Sequence, residues 1–106
     1  MAWISLFFAG VFEIVWAFYM KQSHGFTRLI PSVLTLVAML ASLVLLAYSM
    51  RTIPLGTAYP IWTGIGAVGA FVVGIALLGE HISTLRLVAA ALIASGIVLM
   101  KVSTPT

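Results

Sequence analysis

Seven charged side chains in 106 residues, five Lys or Arg and two Glu, lie almost entirely at the ends of long apolar runs. That pattern limits the chain to folds whose solvent is lipid. Hydrophobic residues make up 63% of the sequence and charged residues 7%, against roughly 45–50% and about 25% in soluble domains. A water-soluble fold could not cover its own surface with so few charges. Cysteine is absent, which removes disulfide and thiolate–metal frameworks. In a soluble protein the net charge of +3 would suggest nucleic acid. Here the basic residues sit where they anchor helices at lipid headgroups, so no nucleic-acid partner is expected.

The charges divide the chain into four spans, expected at about residues 2–20, 29–50, 53–78 and 82–100, in one four-helix transmembrane domain. Each is close to the ~20 residues that a helix needs to cross ~30 Å of hydrocarbon. Arg86 falls near one end of the last span, where its stem allows it to snorkel outward. The alternating pattern of a membrane barrel is missing, so the expected fold class is all-α. Ser23-His24-Gly25 breaks the first connection, and Pro31 and Pro54 fall near first turns, where a helix tolerates proline. The first run lacks a basic start and is interrupted by Glu13, so it reads as a retained helix rather than a cleaved signal peptide. The tail from Ser103 to Thr106 is expected to fray.

Short connections make neighbouring helices antiparallel. Arg51 and Lys101 then share one side of the membrane, and Lys21, Arg28 and Arg86 the other. Two against three is too even for the positive-inside rule to set an orientation. Insertion both ways, with opposite copies pairing as an antiparallel dimer, and insertion one way both remain open. Four helices are few to enclose a solute pathway, so transport calls for an oligomer. Ala90 and Ala94, and Ala91 and Ser95, recur four apart beside Gly96, which gives the last span a face for close helix contact.

Glu13 is the strongest single feature. It lies well inside the first span, where an ionised carboxylate costs several kcal/mol unless it meets water or a partner. No Lys or Arg lies within a span core to neutralise it. It must be protonated part of the time, face a wet cavity, or bind a cation. Trp16 is one turn on and Gly10 one turn back, so carboxylate, indole and small residues share a helix face. Trp16 also lies one turn from Lys21, which leaves an interfacial anchor as its other reading.

The third span adds Tyr59 and Trp62, then Gly64, Gly66 and Gly69. A carboxylate among aromatic rings suits an organic cation, with charge from the one and cation–π attraction from the others. Ser42, midway through the second span, can donate to Glu13 or back to its own helix. Gly64 to Gly69 reads G-x-G-x-x-G, but without a βαβ context this is no dinucleotide site. It reads better as a point where the helix bends or packs closely. Pro60 adds to this, since it removes a helix hydrogen bond and crowds the carbonyl of Gly56. His24 and His81 have no ligand-spaced neighbours, so neither a metal nor any other cofactor is expected. No nucleophile–base pair points to an enzyme.

Along essentially its whole length the chain resembles the small multidrug resistance transporters. The resemblance rests on four spans, a lone membrane Glu13 followed by Trp16, and the run from Gly56 to Gly66 (GTAYPIWTGIG). The segment Ser23-His24-Gly25-Phe26-Thr27-Arg28 and the ending Trp62-Thr63-Gly64-Ile65-Gly66 resemble the guanidinium-exporter subtype. The resemblance implies an antiparallel, dual-topology homodimer in the bacterial inner membrane. It also implies proton-coupled export of guanidinium or a small organic cation, with Glu13 binding either protons or the cation. By position, Trp16, Ser42, Tyr59 and Trp62 match residues that line this site, and Gly64 and Gly66 match its bending point. Proline at position 60, where relatives commonly carry a small residue, departs from the pattern and bears on the placement of Tyr59. A broader exporter of quaternary ammonium compounds is the alternative within the same class. A cation channel lined by Glu13, or a structural subunit of a larger complex, is the alternative outside it.

Overall fold

The computed structural model describes residues 1–103, which form α1 (Ala2–Gln22), α2 (Leu29–Ser49), α3 (Leu55–Leu78) and α4 (Thr84–Ser103). All four helices are long and apolar enough to cross a membrane, so the architecture is that of an all-α, multi-pass membrane protein. Of the tail expected to fray, Ser103 closes α4 and its hydroxyl donates to the Met100 carbonyl. Residues 104–106 lie outside the described residues.

The helix boundaries differ from the apolar runs by a few residues, and caps explain where. Pro54 is the N-cap of α3, so that helix starts after residue 53 rather than at it. The Ser83 hydroxyl accepts the Arg86 N–H at 3.2 Å, an N-cap bond that satisfies one orphan donor of the first turn and places the start of α4 at Thr84. Past α1, buried Ser23 donates to the Met20 carbonyl at 2.6 Å and accepts the Phe26 N–H at 3.0 Å. These bonds hold His24, Gly25 and Phe26 at positive φ, a conformation costing roughly 1–2 kcal/mol for a non-glycine residue.

α1 is the central helix. It packs against both α2 and α3, α3 packs against α4, and α2 and α3 touch only sparsely. Thr35, Ala38, Ser42, Leu46 and Ser49 form the buried face of α2 at spacings of three and four, the stripe expected when one side of a helix meets a neighbour. The core gathers Leu6, Ala9, Leu46, Ile53, Ala58, Ile61 and Trp62. These residues come from the first half of α1, the end of α2, the connection after it and the first half of α3, so the tight packing lies toward one membrane surface. At that surface Lys101 lies 4.4 Å over the Trp3 ring and Arg51 5.8 Å over the Tyr48 ring.

The four helices make a slab of 43 × 34 × 17 Å. A helix with its side chains is about 10–12 Å across, so the slab is less than two helices thick. α4 fully buries none of its residues, and of its small-residue face Ala91, Ser95 and Gly96 are exposed while Ala90 and Ala94 are half-buried. One copy is a wall rather than a vessel.

Candidate functional site

Glu13 reaches the site from the middle of α1, and its position depends on α3. Gly66 of α3 faces it so closely that a Cβ there would lie 2.8 Å from Glu13 Cγ and closer still to the carboxylate. The missing side chain at Gly66 is therefore what seats the carboxylate against α3. Gly69, one turn on, receives Ile14 in the same way. Gly64 faces the other side, where a Cβ would lie 2.7 Å from Ile97 Cγ1 of α4. The G-x-G-x-x-G run thus lets α1 and α4 approach α3 from two sides. α3 passes through it, and through Pro60, as one continuous helix.

Among the described residues Glu13 Oε1 is buried without a hydrogen-bond partner, and so is the indole nitrogen of Trp16 one turn along the same helix. Trp16 packs against the hydrophobic core, which gives it a position inside the protein rather than that of an interfacial anchor alone. One acceptor and one donor, both withdrawn from water and both unsatisfied, are costly features to leave in a membrane protein.

Ser42 departs from both expected hydrogen bonds. It bonds neither to Glu13 nor to its own helix. Its hydroxyl donates to the Ala9 carbonyl of α1 at 2.6 Å and accepts from the Trp62 indole of α3 at 3.0 Å. Ser42 and Ala9 are fully buried, and Trp62 is 8% exposed. Three helices are thereby joined through one oxygen. In helix geometry the carbonyl of residue 9 accepts the N–H of residue 13, so this bridge ends on the turn that carries Glu13. The Ala9 carbonyl was not legible as a site atom, and its place one turn before Glu13 is the only sequence signal that pointed there.

Tyr59 remains helical despite the proline that follows it. Its ring lies 5.6 Å from that of Trp62, tilted by 45°, and it is 51% exposed. The structure thus brings Glu13 against Gly66, with Trp16 one helical turn along α1, and interlocks Ser42 with Trp62. Tyr59 extends this group onto the open face of the slab. Chemically this is a carboxylate in the middle of an apolar helix, with one tryptophan a turn along that helix. It can hold a proton or an organic cation.

The family model described as Small Multidrug Resistance protein matches residues 1–93. A guanidinium exporter of Citrobacter freundii is 55% identical over 104 residues, covering 98% of this chain and 99% of its own. One from Escherichia coli O6:H1 is 56% identical over 104 residues, with the same coverage. One from Yersinia pseudotuberculosis is 55% identical over 103 residues, covering 97% and 99%.

Proposed function

The chain belongs to the small multidrug resistance family, and from that premise we propose that it exports guanidinium and small related cations across the bacterial plasma membrane in exchange for protons. It is a transporter and not an enzyme. The observation that carries the reading is Glu13 Oε1, buried and without a hydrogen-bond partner among the described residues, one helical turn from Trp16, whose indole nitrogen is in the same state.

Guanidinium is planar, and two of its N–H groups match the two oxygens of a carboxylate as a fork. It also lies flat against an indole face, where cation–π attraction adds to the charge. Trp16 and Trp62 supply such faces, and Ser42 holds Trp62 in place. A bulky quaternary ammonium ion has no N–H to donate and would use only the charge and the rings. Protons and guanidinium compete for the same carboxylate. A proton arriving from outside displaces the cation, and loss of that proton inside readies the site again. Coupling holds if an occupied site changes its facing far more readily than an empty, ionised one, because a ligand shifts a conformational equilibrium only through its differential interaction with the two states.

A slab 17 Å thick needs a second copy to surround a cation, which supports a homodimer in which two Glu13 carboxylates share one cavity. The even distribution of Lys and Arg between the two membrane surfaces supports opposite insertion of the two copies. Bending of α3 at Gly64 and Gly66 would move the α1 contact at Glu13 and the α4 contact at Ile97 together, which suits a change of facing.

The test is guanidinium uptake into liposomes driven by a pH gradient, with wild type and Glu13→Gln. Uptake in wild type that is lost in folded Glu13→Gln supports the exchanger. Current that persists without a proton gradient would favour a channel. Uptake of quaternary ammonium without guanidinium would favour the broader exporter.

A further inference from the structure

The second acidic residue, Glu80, has no part in the mechanism above. Gly79 ends α3 in a left-handed conformation, and the Gly79 and Glu80 N–H groups both donate to the Gly74 carbonyl. This reversal folds the Glu80 side chain back along α3. A Cβ at Gly74 would lie 2.9 Å from Glu80 Cδ, so the glycine admits the carboxylate there. Across the α3–α4 cleft the Arg86 guanidinium lies 5.5 Å over the Phe71 ring. Phe71 and Gly74 are one turn apart on one face of α3. An acid and a base therefore hang over the same turn, near the membrane surface, without an ion pair between them among the described residues.

Below them the cleft is apolar. It is an open groove of about 420 Å³ that continues past Ala67 on α3 and Ala90 and Ile93 on α4. From Arg86 to Ile93, and from Gly74 to Ala67, each wall runs seven residues, or roughly 10 Å at 1.5 Å per residue. That is about two thirds of the hydrocarbon depth of one leaflet. We infer that the α3–α4 cleft is a binding site for a phospholipid bearing a phosphoethanolamine headgroup, with its phosphate on Arg86, its ammonium on Glu80 and one acyl chain along the alanines.

Charge complementarity selects that headgroup. Phosphoethanolamine carries one anion and one hydrogen-bonding cation a few bonds apart, which satisfies both side chains at once. A choline headgroup keeps the phosphate, but its quaternary nitrogen donates no hydrogen bond to Glu80. A glycerol headgroup offers Glu80 no ammonium and leaves Lys21, which lines the neighbouring cleft with Glu80, as the one cation on that side among the described residues.

The experiment is native mass spectrometry of the purified protein, titrated with phosphatidylethanolamine, phosphatidylcholine and phosphatidylglycerol of matched chains. Wild type is expected to retain the ethanolamine lipid about tenfold over the choline lipid, the size of one charge-assisted hydrogen bond. Glu80→Gln should bring that ratio to within about twofold, and Arg86→Gln should weaken both lipids. Equal retention of all three lipids, or a preference that survives both substitutions, overturns the inference. So does ready disulfide crosslinking of Ala90→Cys between copies in the membrane, which would mean that a second chain fills the cleft. The chain has no cysteine of its own, so this readout has no background.

Discussion

The indole nitrogen of Trp62 donates to the hydroxyl oxygen of Ser42 at 3.0 Å, and the same hydroxyl donates onward to the Ala9 carbonyl at 2.6 Å. This relay runs from α3 through α2 to the turn of α1 that bears Glu13. It makes Ser42 a positioning residue that acts through its neighbours. Ser42→Ala strands the Trp62 donor and removes one bond from the Ala9 carbonyl, at a cost of about 1–3 kcal/mol. Thermal unfolding in detergent should show that loss, and guanidinium affinity should fall with it. Unchanged stability and unchanged binding would remove the relay from the argument.

The two tryptophans separate by their nitrogens. Trp62 Nε1 is hydrogen-bonded, whereas Trp16 Nε1 is buried and has no partner among the described residues. Trp62→Phe and Trp16→Phe delete similar ring volume, but only the first breaks a bond. Trp62→Phe should destabilise the protein by about 1–3 kcal/mol more than Trp16→Phe does. Trp16→Phe should show its effect in guanidinium affinity instead. Equal unfolding midpoints for the two variants would contradict this assignment.

Gly66 and Gly69 make an internal comparison. A methyl group at Gly66 would meet Glu13, and one at Gly69 would meet Ile14. Adding a methylene-sized group to a packed contact costs typically about 1–3 kcal/mol, so Gly66→Ala and Gly69→Ala should lose similar stability. Only Gly66→Ala should displace the carboxylate, lowering guanidinium binding well beyond its effect on folding. A binding defect confined to Gly69→Ala would show that the carboxylate is not seated by α3.

Competition for Glu13 sets the sign of the pH dependence. Where the carboxylate is mostly protonated, guanidinium must displace a proton to bind. Its apparent Kd should then rise about tenfold for each unit that pH falls, if one proton leaves per cation. At high pH, with the carboxylate ionised, Kd should become independent of pH. Calorimetric titration over a wide range of pH measures both regimes. A flat profile throughout would rule out a shared site.

Much of this protein was determined by its sequence alone. The cost of placing a residue in hydrocarbon is a property of that residue, so runs of about 20 apolar residues declare themselves as spans. The depth of Glu13 and its nearness to Trp16 follow from counting along one helix. Partners on other helices were decided by the tertiary structure. Ser42 found Trp62 and Ala9 rather than Glu13, the glycines of α3 met Glu13 and Ile97, and Glu80 folded over Gly74 beside Arg86. In lipid the hydrophobic effect does not drive helices together, and their rotation rests on close packing and a few hydrogen bonds. Nearly uniform apolar helices carry little record of which face will turn inward, so those contacts exist only once the helices have packed.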